Sequence, residues 1–434
     1  NLTSLGDVSL DGTIQTSGAQ NYAANATLIG ATTVEAGADV SFGGLVDGAE
    51  GLGGLSVNSS GTTTFGGAVG SVVPLTSLTT DASYTVLGGN VTTTGDQTFG
   101  GQVNLTTDTT LIAGAGAINA SAGVSGAGQN LTVGDANQTG AVTLDGGITL
   151  GSLSTGAGDF DVTVSAYSNK TTVTGASEFL NNGTVSLLAG AQFQSFEGGL
   201  NASAAQAVRV AGGVATTNTP LSLNNVTAVD TVAKISTTGG QDVGSNGSTL
   251  TINGLDLNGA TVTTYGGTDG ETVLTGAVNL SAGTLSVAAG DLGLGSGGTG
   301  ATLTATDSET VAVEKNYEIS LAAFTTLSAA GQTVNFKADD FLISSAPDSL
   351  TAGCLTFSTA TAGTNFALGA NKGTKGDVVL SQAAFDSFNA SRVEIGQSGS
   401  SGNIDMGALT LDGPRLDLWA NGGGSVAISG AYDG

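Results

Sequence analysis

The chain has 434 residues, of which 72 are glycine and only 4 proline, and 35 acids against 9 bases give a formal net charge of −26. Disorder pairs low hydrophobicity with dense charge, and collagen needs glycine at every third position. This chain has 39% hydrophobic and 10% charged residues and no three-residue period, so neither class fits. The acid excess excludes a nucleic-acid footprint and docking on anionic lipid, because both need clustered cations and the first basic residue is Lys170.

Histidine is absent, and Cys354 is the one cysteine, so no internal disulfide framework exists. Cys354 is expected to be a buried, inert thiol. No apolar run approaches the length of a membrane-spanning helix, and direct membrane insertion is not expected. The chain opens on Asn1-Leu2-Thr3, already in repeat-like sequence. Neither end reads as a polar cap, so a segment of a longer polypeptide is expected.

Residues 1–130 are the most repetitive. Val40-Ser41-Phe42-Gly43-Gly44, Thr63-Thr64-Phe65-Gly66-Gly67 and Gln97-Thr98-Phe99-Gly100-Gly101 repeat one block, each followed soon by a valine, and Val273–Leu280 is a later relative. The blocks predict a coil of about 20 residues in which Phe stacks on Phe and Gly-Gly turns a corner at positive φ. Residues 131–305 keep the same alternation in Ala141–Leu144, Phe160–Val164, Gly183–Leu187 and Leu250–Ile252, with Val, Leu and Ile inward and Thr, Ser and Asp outward. Residues 306–378 add Lys315, Lys337 and Lys372 and several Phe, and Asn335–Ile343 reads as two strands around an Asp-Asp turn.

From Val378 the chain alternates strand and turn. Val378-Val379-Leu380 leads into the polar Ser381–Asp386; then come Ser391–Gly396, Asn403–Met406, Ala408–Leu411, Arg415–Trp419 and Ser425–Ser429. The turns read as too short for a helix. Strand and turn of similar length, repeated, predict a β-solenoid. The fold class expected is all-β, a right-handed parallel β-helix running as one continuous rod over 1–434. Residues 1–305 are its Gly/Thr-rich part and 306–434 the rest. About 20 coils at the roughly 4.8 Å strand spacing would make it on the order of 100 Å long.

This last stretch resembles the late repeats of filamentous-haemagglutinin-like bacterial exoproteins of the two-partner-secretion type. The matching pieces are Leu380-Ser381-Gln382-Ala383, Ala390–Gly396 and Gly423–Ala431, with Thr359–Thr364 and Phe366–Gly369 in the same pattern. They cover roughly the last fifth of the chain; the rest agrees in style. The resemblance implies a parallel β-helix, export across the outer membrane through a secretion partner, and an adhesive or matrix role at the bacterial cell surface.

Residues that carry chemistry are few. Asp159/Asp161 and Asp339/Asp340 are tight acidic pairs, with Lys170 and Arg209 as the nearest bases. Nucleophile–histidine pairs are impossible, and no phosphate loop or Gly-x-Ser-x-Gly occurs. The expectation is a non-enzyme that needs no cofactor. A soft calcium candidate is the turn Gly266–Glu271, through Asp269 and Glu271; oxygen ligands suit calcium, and a plain Gly-Asp turn is the alternative. Threonine runs at Thr62–Thr64, Thr92–Thr94, Thr171-Thr172 and Thr302–Thr304 fall at irregular intervals and read as ordinary outward strand residues.

Asn-x-Ser/Thr sequons are dense. They begin at Asn1, Asn25, Asn58, Asn90, Asn104, Asn119, Asn130, Asn137, Asn169, Asn182, Asn201, Asn225, Asn246, Asn279 and Asn389. Repeat inheritance explains part of this density. The other reading is that several outward asparagines carry glycans. The sequence reads best as a secreted surface or matrix rod, with other copies of itself or cell-surface polysaccharide as partners. A self-assembling sheath or surface-layer subunit comes second. A β-helical polysaccharide-processing enzyme is the remote third.

Overall fold

Parallel strands stacked in coils build the protein, as the alternation predicts, and the coils form a β-solenoid of about 17 turns. The computed structural model describes the chain apart from residues 50, 167–168, 241–242, 296–300, 306–308, 314–316, 370–376, 398–401, 421–423, 431 and 434. Lys315, Lys372, Gly423 and Ala431 therefore lie outside the described residues. The chain forms two compact units, Asn1–Val214 and Ala215–Gly434.

In the first unit each coil has three strand faces. Leu2–Ser4, Gln20–Tyr22, Val40–Phe42, Thr62–Phe65, Tyr84–Leu87 and Gln102–Leu105 stack in register on the first face. Val8, Ala26 and Val46 begin the second face. Ile14, Val34, Val57 and Thr80 begin the third, which continues through Phe99, Ala120, Leu144 and Val164. Val8 and Ile14, in the first coil, are half-buried, and from the second coil on the inward residues of these two faces are wholly buried, at 0% for Val34 and 1% for Ala26. Each fully buried Val or Leu contributes roughly 1.5–3 kcal/mol, which ties every coil to the shared core.

Coil length varies. One coil takes 18 residues, from Asn1 to Ala19, and another 23, from Asp39 to Thr62. The longer coils explain why there are fewer turns than the 20 expected. They also separate the three Phe-Gly-Gly blocks. Phe42 and Phe65 stack at 5.3 Å, and Tyr22 stacks on Phe42 at 5.0 Å, on the first face. Phe99 instead pairs with Thr80 and Ala120 on the third face, because the chain between Phe65 and Phe99 passes one whole coil and part of the next. The glycine pairs also differ from expectation: none of the six is at positive φ. They serve close approach instead, since a Cβ on Gly67 would meet the Gly44 carbonyl oxygen at 2.6 Å.

Corners are held by side-chain carbonyls. Asn25 Oδ1 accepts the Leu45 N–H at 2.9 Å, Asp39 that of Thr62 at 2.8 Å, Asn90 that of Thr110 at 2.9 Å and Asp161 that of Thr184 at 2.7 Å. A strand ladder stops at the corner, and the first N–H of the next coil needs an acceptor. Asp and Asn supply it one coil away. Asp161→Ala is expected to cost about 1–2 kcal/mol in urea unfolding, and Asp161→Asn, which keeps the acceptor, well under half of that.

The second unit keeps the three faces. Leu223, Ile252, Leu274, Leu294, Leu321 and Ile343 stack on its first face. Val226, Leu255, Val278, Leu303, Leu327, Leu350 and Phe388 stack on the second. Val262, Leu285, Val311, Phe336, Phe357, Ile395 and Leu418 stack on the third. Asn335–Ile343 holds the end of one strand, Thr326–Lys337, and the whole of the next, Asp340–Ile343, as expected.

One coil here is far longer: Thr351 and Asn389, paired across neighbouring coils, lie 38 residues apart. Within it Phe366–Leu368 pairs in parallel with both Val378–Leu380 and Ile404–Met406. The third face has no counterpart of this strand, since Phe388–Gly396 pairs directly with Leu350–Ser358 and with Arg415–Trp419. The stretch expected to lack a helix contains one, Gln382–Asp386, capped by the Ser381 hydroxyl on the Ala384 N–H. It is tolerated because Gln382 imitates a strand rung. Its side chain accepts the Thr410 N–H at 2.9 Å and donates to the Thr410 carbonyl at 2.8 Å. Phe385 meanwhile packs on Phe388 at 5.3 Å.

Candidate functional surface

Alternation puts one residue in two outside, so the surface is a set of columns, one rung per coil. The sequon asparagines belong to it. Asn1, Asn25, Asn58, Asn90, Asn130, Asn137, Asn169, Asn182, Asn201, Asn225, Asn246, Asn279 and Asn389 are exposed, and Asn104 and Asn119 are half-buried within strands. Their amides do different work. Asn25 and Asn90 use Oδ1 to bridge coils. Asn130, Asn169 and Asn182 instead donate from Nδ2, to Asp108, the Gly146 carbonyl and Asp159. A glycan joins through the amide nitrogen, so attachment at Asn25 or Asn90 leaves the coil bridge in place.

The acidic pairs read from sequence are used in turns. Asp159 accepts from Asn182, Asp161 from the Thr184 N–H, and Asp339 from the Thr361 N–H at 2.7 Å. Asp269 is exposed and takes a long hydrogen bond from the Thr268 hydroxyl at 3.4 Å. Among the described residues no three acid or cysteine side chains are grouped as a metal site. Cys354 is a buried free thiol, with the Arg392 Nε 3.4 Å from its sulfur.

Glu271 belongs to a feature that the sequence does not announce. It is in register with Asp291, and Glu318 with Asp340. Asp291 Oδ1 also accepts the Glu318 N–H at 2.9 Å. Four carboxylates thus mark four successive coils at the start of one face. Partial desolvation first, and then the neighbouring Asp291, push the Glu271 carboxyl up from its ordinary value; the same burial, then Asp340, Asp291 and Glu271, raise Glu318. A raised folded pKa means that the folded state holds the proton more tightly. This contribution to stability is fully present below the unfolded value of 4.5 and is lost as pH rises through the raised folded values. Glu318→Gln is expected to stabilise the protein by about 0.2–1 kcal/mol at neutral pH by removing opposed like charges. The gain should vanish near pH 4, which paired thermal melts at the two pH values check.

A second column is uncharged. Thr13, Thr33, Ser56, Thr79, Thr98, Asn119, Thr143, Thr163 and Ser186 stand in unbroken register on the outside of the third face of the first unit. The threonine runs noticed in the sequence do not form this column. Thr62–Phe65 lies on the first face, while Thr93 and Thr171 are buried. Unequal coils hide a regular column from any fixed sequence period. Comparison with protein-family models, with curated proteins and with solved structures finds no match to this chain.

Proposed function

We propose that the chain is a structural and adhesive scaffold of a bacterial surface or extracellular matrix, exported and displayed outside the cell. The observation that carries this reading is the division of labour within each coil. Inward positions are spent on stacking and corner positions on bridging one coil to the next. The outward positions form long in-register columns of Thr, Ser, Asn and acid. Such a chain presents repeated surface at one spacing, about 4.8 Å per rung, which suits multivalent contact with a repeating polymer. The net charge of −26 keeps copies apart in solution and directs the reading away from nucleic acid. The resemblance of the terminal repeats to secreted adhesins adds to the same reading.

The test is retention. Beads coated with the purified chain are flowed over films of neutral matrix polysaccharide and over intact bacterial cells, beside beads carrying an unrelated acidic protein. Greater retention of the coated beads on at least one surface is the expected result. Equal retention on all of them overturns the adhesive role. Ordered polymers of the chain seen by electron microscopy in that case would favour the sheath-subunit reading, for which the nine-rung uncharged column would be the lateral contact.

A further inference from the structure

The second unit holds an open cleft of about 430 Å³ beside the 38-residue coil. Its floor is the outside of the second face, where Thr351 and Asn389 are in register and the Asn389 amide reaches the Thr351 hydroxyl at 3.4 Å. Two bulging corners make its walls. On one side the chain bulges between Ala329 and Thr333, where the register with the next coil shifts. On the other, Asp412 and Gly413 turn outward, with Gly413 at φ +103. Between these walls the coil corner at Gly353 is tight, since a Cβ there would meet Gly331 at 2.6 Å. The cleft therefore exists because two coils take the corner narrowly while their neighbours take it wide. Its volume lies in the range of about 300–1,000 Å³ usual for small-ligand sites.

The lining has a definite chemistry. Asp348 and Asp412 supply carboxylate acceptors, Thr351 and Ser391 hydroxyls, and Asn389 an amide. Ala330 and Ala390 add a little apolar surface, while the buried side chains of Phe388 and Ala352 belong to the core beneath. Asp348 is fixed by its own backbone, at φ 56, with its N–H donating to the Asp386 carbonyl at 3.0 Å. A carboxylate accepts from two adjacent hydroxyls at once, and hydroxyl and amide groups both donate and accept. No lining side chain is cationic. The nearest base in sequence, Arg392, is engaged with Glu394 at 3.1 Å and with the Cys354 sulfur at 3.4 Å.

The geometry points to a saccharide subsite that takes a sugar unit without acid groups, its hydroxyls on Asp348, Asp412, Asn389 and Thr351 and its carbon face toward Ala330 and Ala390. It rests on the attachment role proposed above for the polymer that supplies the sugar. An acidic sugar is rejected because its charge would meet two fixed carboxylates. A divalent cation held between the two aspartates is the competing occupant.

The test uses the full chain and an array of neutral hexose and N-acetylhexosamine oligosaccharides, with uronic acid oligosaccharides beside them, first in chelator and then with calcium in its place. Binding to a neutral oligosaccharide is expected, with no binding to the uronates. Asp348→Asn with Asp412→Asn should weaken it at least about tenfold while leaving the melting temperature unchanged. Equal binding by the double variant overturns the cleft, and if the variant's beads also still adhere to polysaccharide films, the adhesive role stands without it. Binding only when calcium replaces chelator assigns the site to the cation and overturns the saccharide subsite. An absence of neutral-sugar binding across the array also overturns the proposal, as does peptide-level mass spectrometry showing Asn389 already carrying a covalent glycan in protein from its native source.

Discussion

Phe357→Ala is expected to destabilise the second unit by about 3–5 kcal/mol, the usual cost of emptying a fully buried aromatic position. Phe357 is 0% exposed. It stacks on Phe336 at 5.7 Å in one neighbouring coil, lies near-parallel to Phe388 at 5.1 Å and meets Phe341 edge-on at 5.4 Å. Among the described residues no other ring has three such partners. The surrounding backbone is pinned by parallel ladders on both sides, through the rungs Val334↔Leu355 and Leu355↔Val393, so the cavity has little freedom to collapse. For a unit of about this size, each kcal/mol moves the melting temperature by about 2–4 °C, so a fall of roughly 10 °C should appear by calorimetry. Leu342→Ala is the control. Leu342 lies in a neighbouring strand but is 54% exposed, and its loss should stay within about 0.5 kcal/mol. Similar shifts for the two variants would show that the aromatic cluster does not hold this part of the stack.

Alternation of Val, Leu and Ile with Thr and Ser made the strands and their inner faces legible, because a period of two has one buried solution when coils stack. Asn403–Met406 and Arg415–Trp419 contain strands where the pattern places them. Position along the stack was much less legible. The equal look of the Phe42, Phe65 and Phe99 blocks suggested one column, yet coils of unequal length put Phe99 on another face. The same inequality concealed the carboxylates at Glu271, Asp291, Glu318 and Asp340 and the cleft between Gly331 and Gly413. Such sites depend on which residues share a rung across coils, and only the register supplies that. The helix at Gln382–Asp386 was hidden for another reason. A five-residue helix has little periodicity to show, and its place is set by the Gln382 contact with Thr410, 28 residues away.

Gly212→Ala should be among the most damaging single-atom additions to the first unit, at about 2–5 kcal/mol, the sum of two effects. Gly212 sits at φ +71, where an L side chain costs roughly 1–2 kcal/mol. A Cβ would also lie 1.8 Å from the Ala189 carbonyl oxygen and 2.1 Å from that of Gly190, in the preceding coil. Neither contact is with a flexible side chain, so a backbone must move, at a typical overpacking cost of about 1–3 kcal/mol. Gly12→Ala separates the two effects. Gly12 has nearly the same φ, +66, but nothing within 4 Å of its Cβ position. Backbone strain alone predicts the same loss for both variants. Close stacking of coils predicts that only Gly12→Ala stays near about 1 kcal/mol, as expected where a non-glycine such as Ala282 already tolerates φ 58. Urea unfolding of the two variants side by side decides between them. A larger loss at Gly212 would mean that glycine's role at this corner is spacing between coils, the same role that the Gly67 contact with Gly44 has on the first face.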